Sequence, residues 1–423
     1  MTRLRLATSD TFRSMHSRNF RLFFTGQLIS QVGNWLTLVA QTLLVFKLTH
    51  SGVALGFLAA AQFGPVLLIG AFAGLMADRS DKRKLLIIVQ AGAMLQSFAL
   101  AGVAFMNHPP VAAVFVIAVL GGTATAFDNP ARRSFVVEMV PVEDINNAVS
   151  LNSALMTGSR IFGPALAGLL ITTVGFGWCF LVDGLSYIAV LVGLMMMKPD
   201  ELRRAPVLER GRGQIGEGLR YARSVPELWI PLTMMAIIGT LAFNFNTTLP
   251  LFVARDLHGG TLTFTLLFSV VSAGSLIGAL ATARRKHISL RNVSMAATGF
   301  GIALMLLAIS PNMPVAFAVG VVLGLTSIAF MTASTSIVQT RSDPSMRGRV
   351  LALQAMVFLG STPIGGPIVG TIGQHYGARY SLALGALGCL VAGAYGFRGI
   401  KRSAPAVAVA PTVLADDTAL AST

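Results

Sequence analysis

Residues Gly74 to Lys84 read GLMADRSDKRK, and the fold of the chain turns on them. An apolar run stops at Ala77 and another starts at Leu85. Between them Asp78 is followed by Arg79, Lys82, Arg83 and Lys84. A short, strongly basic link between two membrane-length helices must turn in water, and the positive-inside rule puts it in the cytoplasm.

Outward from this link, twelve apolar runs approach the roughly 20 residues needed to cross a bilayer. They fall near 20–46, 52–77, 84–106, 111–133, 148–172, 177–197, 229–254, 262–283, 292–309, 314–339, 350–372 and 379–397. Hydrophobic residues make up 54% of the chain and charged residues 12%, with a mean hydropathy of +0.71. The strict alternation of membrane β-strands is absent. The pattern predicts an all-α polytopic bundle of twelve transmembrane helices.

The net charge of +15 is a matter of topology. With the N-terminus in the cytoplasm, all but four of the 32 Lys and Arg lie in cytoplasmic segments or at their helix ends. Lys47, Arg255 and Arg379 are outside, and Arg160 is within a helix. Both termini are therefore expected in the cytoplasm. The basic excess also attracts anionic lipid, at roughly 1 kcal/mol per residue near the surface. No basic stretch is interleaved with stacking aromatics, which argues against nucleic acid. Cys179 and Cys389 sit in apolar runs as small core residues. The six His fall outside the helix cores, so no intramembrane metal site is expected, and no cofactor.

Polar residues inside the runs mark where protein or water, not lipid, must lie. In the first helix Gln27, Gln31, Asn34 and Gln41 share a face with Trp35 beside them. Thr125, Asp128 and Arg132 share a face of the fourth, where Pro130 removes a backbone donor. The fifth carries Asn152, Arg160 near its middle, and GPALAG from Gly163 through Pro164 to Gly168; the sixth carries Asp183. Thr240, Asn244 and Thr247 form a stripe on the seventh, and Thr332, Thr335 and Gln339 one on the tenth. Stripes on helices 1, 4, 7 and 10 suggest a central cavity, with interhelical hydrogen bonding as the other reading.

The chain also repeats itself. Gly74 and Gly278, and Lys82 and Lys286, lie 204 residues apart. Gly163 of GPALAG and Gly366 of GPIVG (with Pro367) lie 203 apart, as do Pro141 and Pro344. Six helices per copy make the repeat parallel. The expected division is an arm and six-helix half over 1–197, a cytoplasmic linker over 198–228, a second half over 229–400 and a disordered tail over 401–423. An amphipathic segment is expected within the linker, around Gln214 to Ala222.

The link Gly-x-x-Ala-Asp-Arg-x-x-Lys-Arg resembles the signature loop between helices 2 and 3 of the major facilitator superfamily, which usually has Gly where this chain has Asp81. GNWLTLVAQTLLVFKLT, DNPARRSF, VPVEDINNAVSLNS, RIFGPALAGLL and DPSMRGRVLAL, in this order, extend the resemblance from about Asn19 to Arg398. Together they are similar to the enterobactin-exporter-like and drug:proton antiporter-like branch. GPALAG resembles the helix 5 motif of those antiporters, with Ala167 and Ser159 at two of its glycine positions.

The resemblance implies a monomeric secondary transporter that tilts two halves about a midplane site and exports small amphipathic molecules, drug-like or siderophore-like. It implies proton coupling, and a gating loop of Gly74, Asp78, Arg79, Lys82 and Arg83 in which Asp78 latches onto the start of helix 11. Ser345 is a candidate cap for that helix. The coupling proton is expected on Asp128 first, with Arg132 one turn away; the alternatives are no proton site within the membrane, and Asp183, although helix 6 of the family usually lies outside the cavity. Arg160 could serve either acid. Import or facilitation on the same scaffold is the alternative, then a non-transporting scaffold. An enzyme is disfavoured, since HExxH, GxSxG and phosphate-loop patterns are absent.

Overall fold

The computed structural model of the protein describes residues 11–203, 214–283 and 288–402. The start of the basic arm, the centre of the linker, the link carrying Lys286 and the tail from Ser403 lie outside the described residues. Among the described residues every regular element is a helix. Twelve are long and apolar enough to cross a membrane. In chain order they are α1 (Arg18–Thr49), α2 (Gly52–Arg79), α3 (Lys82–Ala104), α4 (Val111–Glu138), α5 (Ile145–Thr173) and α6 (Phe176–Met195). The second set is α7 (Pro226–Arg255), α8 (Thr261–Ala283), α9 (Leu290–Ala308), α10 (Met313–Arg341), α11 (Arg347–His375) and α12 (Ala378–Arg402).

Two local expectations change. α7 is not one continuous helix: it breaks between Leu241 and Phe245. The N–H of Phe243 reaches back to the carbonyl of Ile238, and the Asn244 amide donates to the Thr240 carbonyl at 2.7 Å. Thr240, Asn244 and Thr247 therefore do not form one helical stripe. Ser345 does not cap α11, whose N-cap is Met346. The Ser345 hydroxyl and N–H instead donate to the Asp343 carboxylate at 2.6 and 2.9 Å. Those two donations, the hydroxyl foremost, hold Asp343 below the usual carboxylate range.

The two sets of six helices meet along α2 with α11 and α5 with α8. At the α2–α11 crossing, backbone packs on backbone: a Cβ on Gly56 would strike the Gly366 carbonyl and come within 2.8 Å of the Pro367 Cα. Gly52 and Gly370 face each other one turn beyond, and Gly168 of α5 closes on Thr265 of α8. All these contacts lie at the end remote from GLMADRSDKRK. Polar ties reinforce them there: Arg255 donates to the His50 carbonyl at 2.9 Å and to Gln374 Oε1 at 2.8 Å, and the Gly52 N–H donates to that same Oε1. Toward the basic end the sets part: Gly74 and Gly348, and Gly158 near the middle of α5, face nothing within 4 Å of where a Cβ would stand.

The amphipathic segment of the linker is a helix, Gln214–Ser224. It docks on the second set, with Glu217 and Arg349 paired at 2.7 Å and Ala222 buried among Leu228, Leu232, Val338 and Val350.

Candidate functional site

The basic link is built into the first six helices by three of its side chains. Asp81, at the position usually held by glycine, caps α3 by accepting the Lys84 N–H at 3.1 Å. Lys82 pairs with Glu138 at the end of α4 at 2.6 Å, largely out of water. Arg83 donates to the Leu194 and Met195 carbonyls at the end of α6, at 2.6 and 2.9 Å. A cation there satisfies orphan carbonyls and complements the helix dipole. These partners were not evident in the sequence, because a run of cations does not name the carbonyls it will meet.

Midway along the first half lies a cavity of about 290 Å³. Its lining brings together Gln31, Asn34, Trp35 and Gln41 of α1 with Thr125, Asp128 and Arg132 of α4. It also includes Asp183, contrary to the expectation that helix 6 would stand outside; α6 packs along α1 and brings Asp183 to the cavity wall. Gln27 sits outside the lining and accepts from Arg132 at 2.8 Å. Asn152 is not in the lining, although its amide lies against Met156, which is, and Asn244 sits at the α7 break. Thr335 accepts from Gln354 of α11 at 3.3 Å. Gln62, Gln90, Gln96, Ser97 and Tyr187 complete the polar wall without having been singled out from the sequence. The rule that marked the α1 amides would have found the three glutamines.

Each acid has a distinct environment. Asp128 is ion-paired with Arg132, and its other oxygen accepts from Gln90 at 2.7 Å. A buried pair of this kind needs further hydrogen bonds: Gln27 accepts one from Arg132 and Gln90 donates one to Asp128, while the Arg132 Nε is left without a partner. Asp183 is 0% exposed and, among the described residues, has no cation within ion-pair distance. One oxygen accepts from Thr37 at 2.6 Å and Ser97 at 2.7 Å; the other has no hydrogen-bond partner. That second oxygen points at Gly33, where any Cβ would collide with it. Tyr187, one turn on, donates to Asn34 at 2.6 Å. Arg160 lies over Trp35, its guanidinium 6.0 Å from the ring. A second cavity, about 360 Å³, lies between the two sets at the closed end beside Lys47 and Phe264.

Twelve spans, two sets meeting on glycine at one end and a polar cavity among the helices are the frame of a membrane transporter. Residues 9–417 match the family described as transmembrane secretion effector. The chain belongs to that family. It is a major facilitator transporter: a multi-pass membrane protein that moves small molecules, not an enzyme. The chain is 25% identical to the staphyloferrin A transporter of Staphylococcus aureus, over 84% of this chain and 90% of that one. It is 27% identical to the multidrug efflux pump Tap of Mycobacterium tuberculosis, over 84% and 88%. With macrolide efflux protein A of Streptococcus pyogenes the identity is 26%, over 82% and 87%. The fold matches a bacterial homolog of the human lysosomal transporter Spinster, in an inward-facing, unoccupied conformation, with a TM-score of 0.72 and 14% identity over 90% and 96% of the chains. It also matches a POT family transporter in complex with 5-aminolevulinic acid, with a TM-score of 0.75 and 10% identity over 92% and 97%.

Proposed function

We propose that this transporter exports small amphipathic molecules across the inner membrane, driven by proton entry, with both termini in the cytoplasm. The observation that carries the reading is the pairing of a sealed end and a parted end with a cavity that holds an uncompensated acid. The parted end bears the basic links, so by the positive-inside rule it faces the cytoplasm, where an exporter collects its cargo. Relatives named as efflux pumps support the direction. Tilting the halves the other way would open the Gly56–Gly366 seam and bring Asp78 against the start of α11, where an anion meets the positive end of a helix dipole. In that state Asp78 acts as the latch.

We place the coupling proton on Asp183 in preference to Asp128. Both oxygens of Asp128 are already held, by Arg132 and Gln90. Asp183 is faced by Gly33 and Thr37 from α1, Ser97 from α3, and Ser186 and Tyr187 on its own helix. Its charged neighbours are the Asp128–Arg132 pair at the cavity wall. A carboxyl group inside a membrane without a cation in contact is suited to carry a proton.

The test is flux of rhodamine 123 in proteoliposomes under an imposed pH gradient. Asp183→Asn is expected to abolish gradient-driven export while exchange of dye across the membrane, which needs no net proton movement, continues. Full gradient-driven export in Asp183→Asn would remove the proton from this residue. Wild-type flux indifferent to the gradient would remove proton coupling altogether.

A further inference from the structure

Arg160 is a cation near the cavity that no carboxylate or hydrogen bond of the described residues engages. It lies near the middle of α5, deep in the membrane span. Arginine does not shed its charge in a protein, so a guanidinium there needs an anion, a π-face or water. Among the described residues no carboxylate stands within ion-pair distance of it. Its Nε is buried and donates to nothing. Both acids that could have neutralised it are committed elsewhere: Asp128 to Arg132, Asp183 to Thr37 and Ser97.

What the fold does supply is a platform. The guanidinium lies over Trp35, and Trp35 packs in turn on Phe268 of α8, with ring centroids 5.9 Å apart. Trp35 belongs to the cavity wall, and so does Met156, which precedes Arg160 by one turn on the same face of α5. Arg160 is itself half-buried and stands behind Trp35, outside the lining residues. An aromatic face beside the cavity and an uncommitted fork of donors are the parts of a site that reads an acidic group on an otherwise apolar molecule. Planar bidentate recognition of carboxylate is what the guanidinium does best.

We propose that Arg160, held on Trp35, is the anion-reading residue of the transport site, and that the cargo includes amphipathic molecules bearing a carboxylate. This rests on the transport reading above and narrows it to a substrate class. It assigns different work to the three interior ionic groups: Asp183 carries the proton, Arg132 and Asp128 hold α4 in register, and Arg160 receives the cargo.

The experiment compares two xanthene dyes of similar ring system and opposite charge, carboxyfluorescein and rhodamine 123, in proteoliposomes. Wild-type protein is expected to move carboxyfluorescein. Arg160→Gln is expected to lower the ratio of carboxyfluorescein to rhodamine 123 flux about tenfold or more, the loss that follows removal of a hydrogen-bonded charge pair. Arg160→Lys, which keeps charge but not the planar fork, should recover part of that ratio. Wild-type protein that moves rhodamine 123 but excludes carboxyfluorescein overturns the proposal and leaves the exporter reading standing. Equal loss of both fluxes in Arg160→Gln also overturns it, since the arginine would then serve the conformational change and not the cargo. Failure to move either dye above protein-free vesicles overturns both readings together.

Discussion

The second half of the molecule repeats the seams of the first but not its charges. The offset of 203 or 204 residues that relates Gly163 to Gly366 carries Asp128 onto Met331 or Thr332 and Arg132 onto Thr335 or Ser336. It carries Arg160 onto Pro363 or Ile364 and Asp183 onto Ala386 or Leu387. Among the described residues, no charged side chain of α7–α12 is buried, whereas Asp128, Arg132 and Asp183 all are in the first half. At the α7 break the second half gathers aromatic rings instead: Phe243 lies 6.0 Å from Phe245, 5.1 Å from Phe300 and 5.3 Å from Phe358. The fold needs small residues at both seams, because backbones cannot otherwise approach. Ionic chemistry is needed only once, and one half supplies it while the other moves against it.

The largest effect that would break this contrast lies at Arg132. Arg132→Gln leaves Asp128 buried without its cation and should cost about 3–5 kcal/mol. Thermal unfolding in detergent measures it, and the double variant Asp128→Asn with Arg132→Gln should recover most of the loss. The counterpart Thr335→Val removes one acceptor for the Gln354 amide and should cost about 1 kcal/mol. Equal losses at the two positions would mean that the halves share their ionic burden after all.

A smaller effect separates the sealed end from the parted one. Gly56→Val forces side-chain atoms into the Gly366 carbonyl, and overpacking of this kind costs about 1–3 kcal/mol. Gly74→Val meets open space in this state. Lys47→Cys, beside the cavity between the halves at the sealed end, should label faster with maleimide when combined with Gly56→Val, and at an unaltered rate when combined with Gly74→Val. Faster labelling in both would show that the seam does not rest on the glycine crossing.

The helices, the repeat and the α1 and α4 stripes were legible in the sequence, because burial in a bilayer imposes a length and a periodicity that any stretch displays on its own. Three-dimensional pairing imposes neither. Asp183 looked like a lone acid on an outer helix until Thr37 and Ser97 were seen to reach it from α1 and α3. Asn244 looked like part of a helical stripe because a break stabilised by a side-chain amide carries no breaker residue at that point. Asn152 and Thr335 were assigned to a cavity whose lining includes neither, and Thr335 lies in the half that contributes nothing to it. The amide rule locates interiors and does not say whose interior.

The smallest effect concerns Asp81, where the basic link carries an acid in place of the usual glycine. Its carboxylate caps α3 from an exposed position. Asp81→Ala removes the cap without replacing the conformational freedom that glycine would bring, and should cost about 1 kcal/mol. Asp81→Gly should cost only a few tenths of a kcal/mol, because glycine tolerates the extended N-cap backbone and lets water reach the orphan N–H groups. Neither change touches the Lys82–Glu138 pair or the Arg83 contacts with the end of α6, which hold the link to the first half by themselves. Melting temperatures should therefore rank wild type, Asp81→Gly, Asp81→Ala in descending order, all close together, with dye flux kept within about twofold in Asp81→Gly, as so small a free-energy change allows. A loss of flux in Asp81→Gly out of proportion to its stability would assign Asp81 a share in gating alongside Asp78, and the acid would then be part of the latch and not only the cap of a helix.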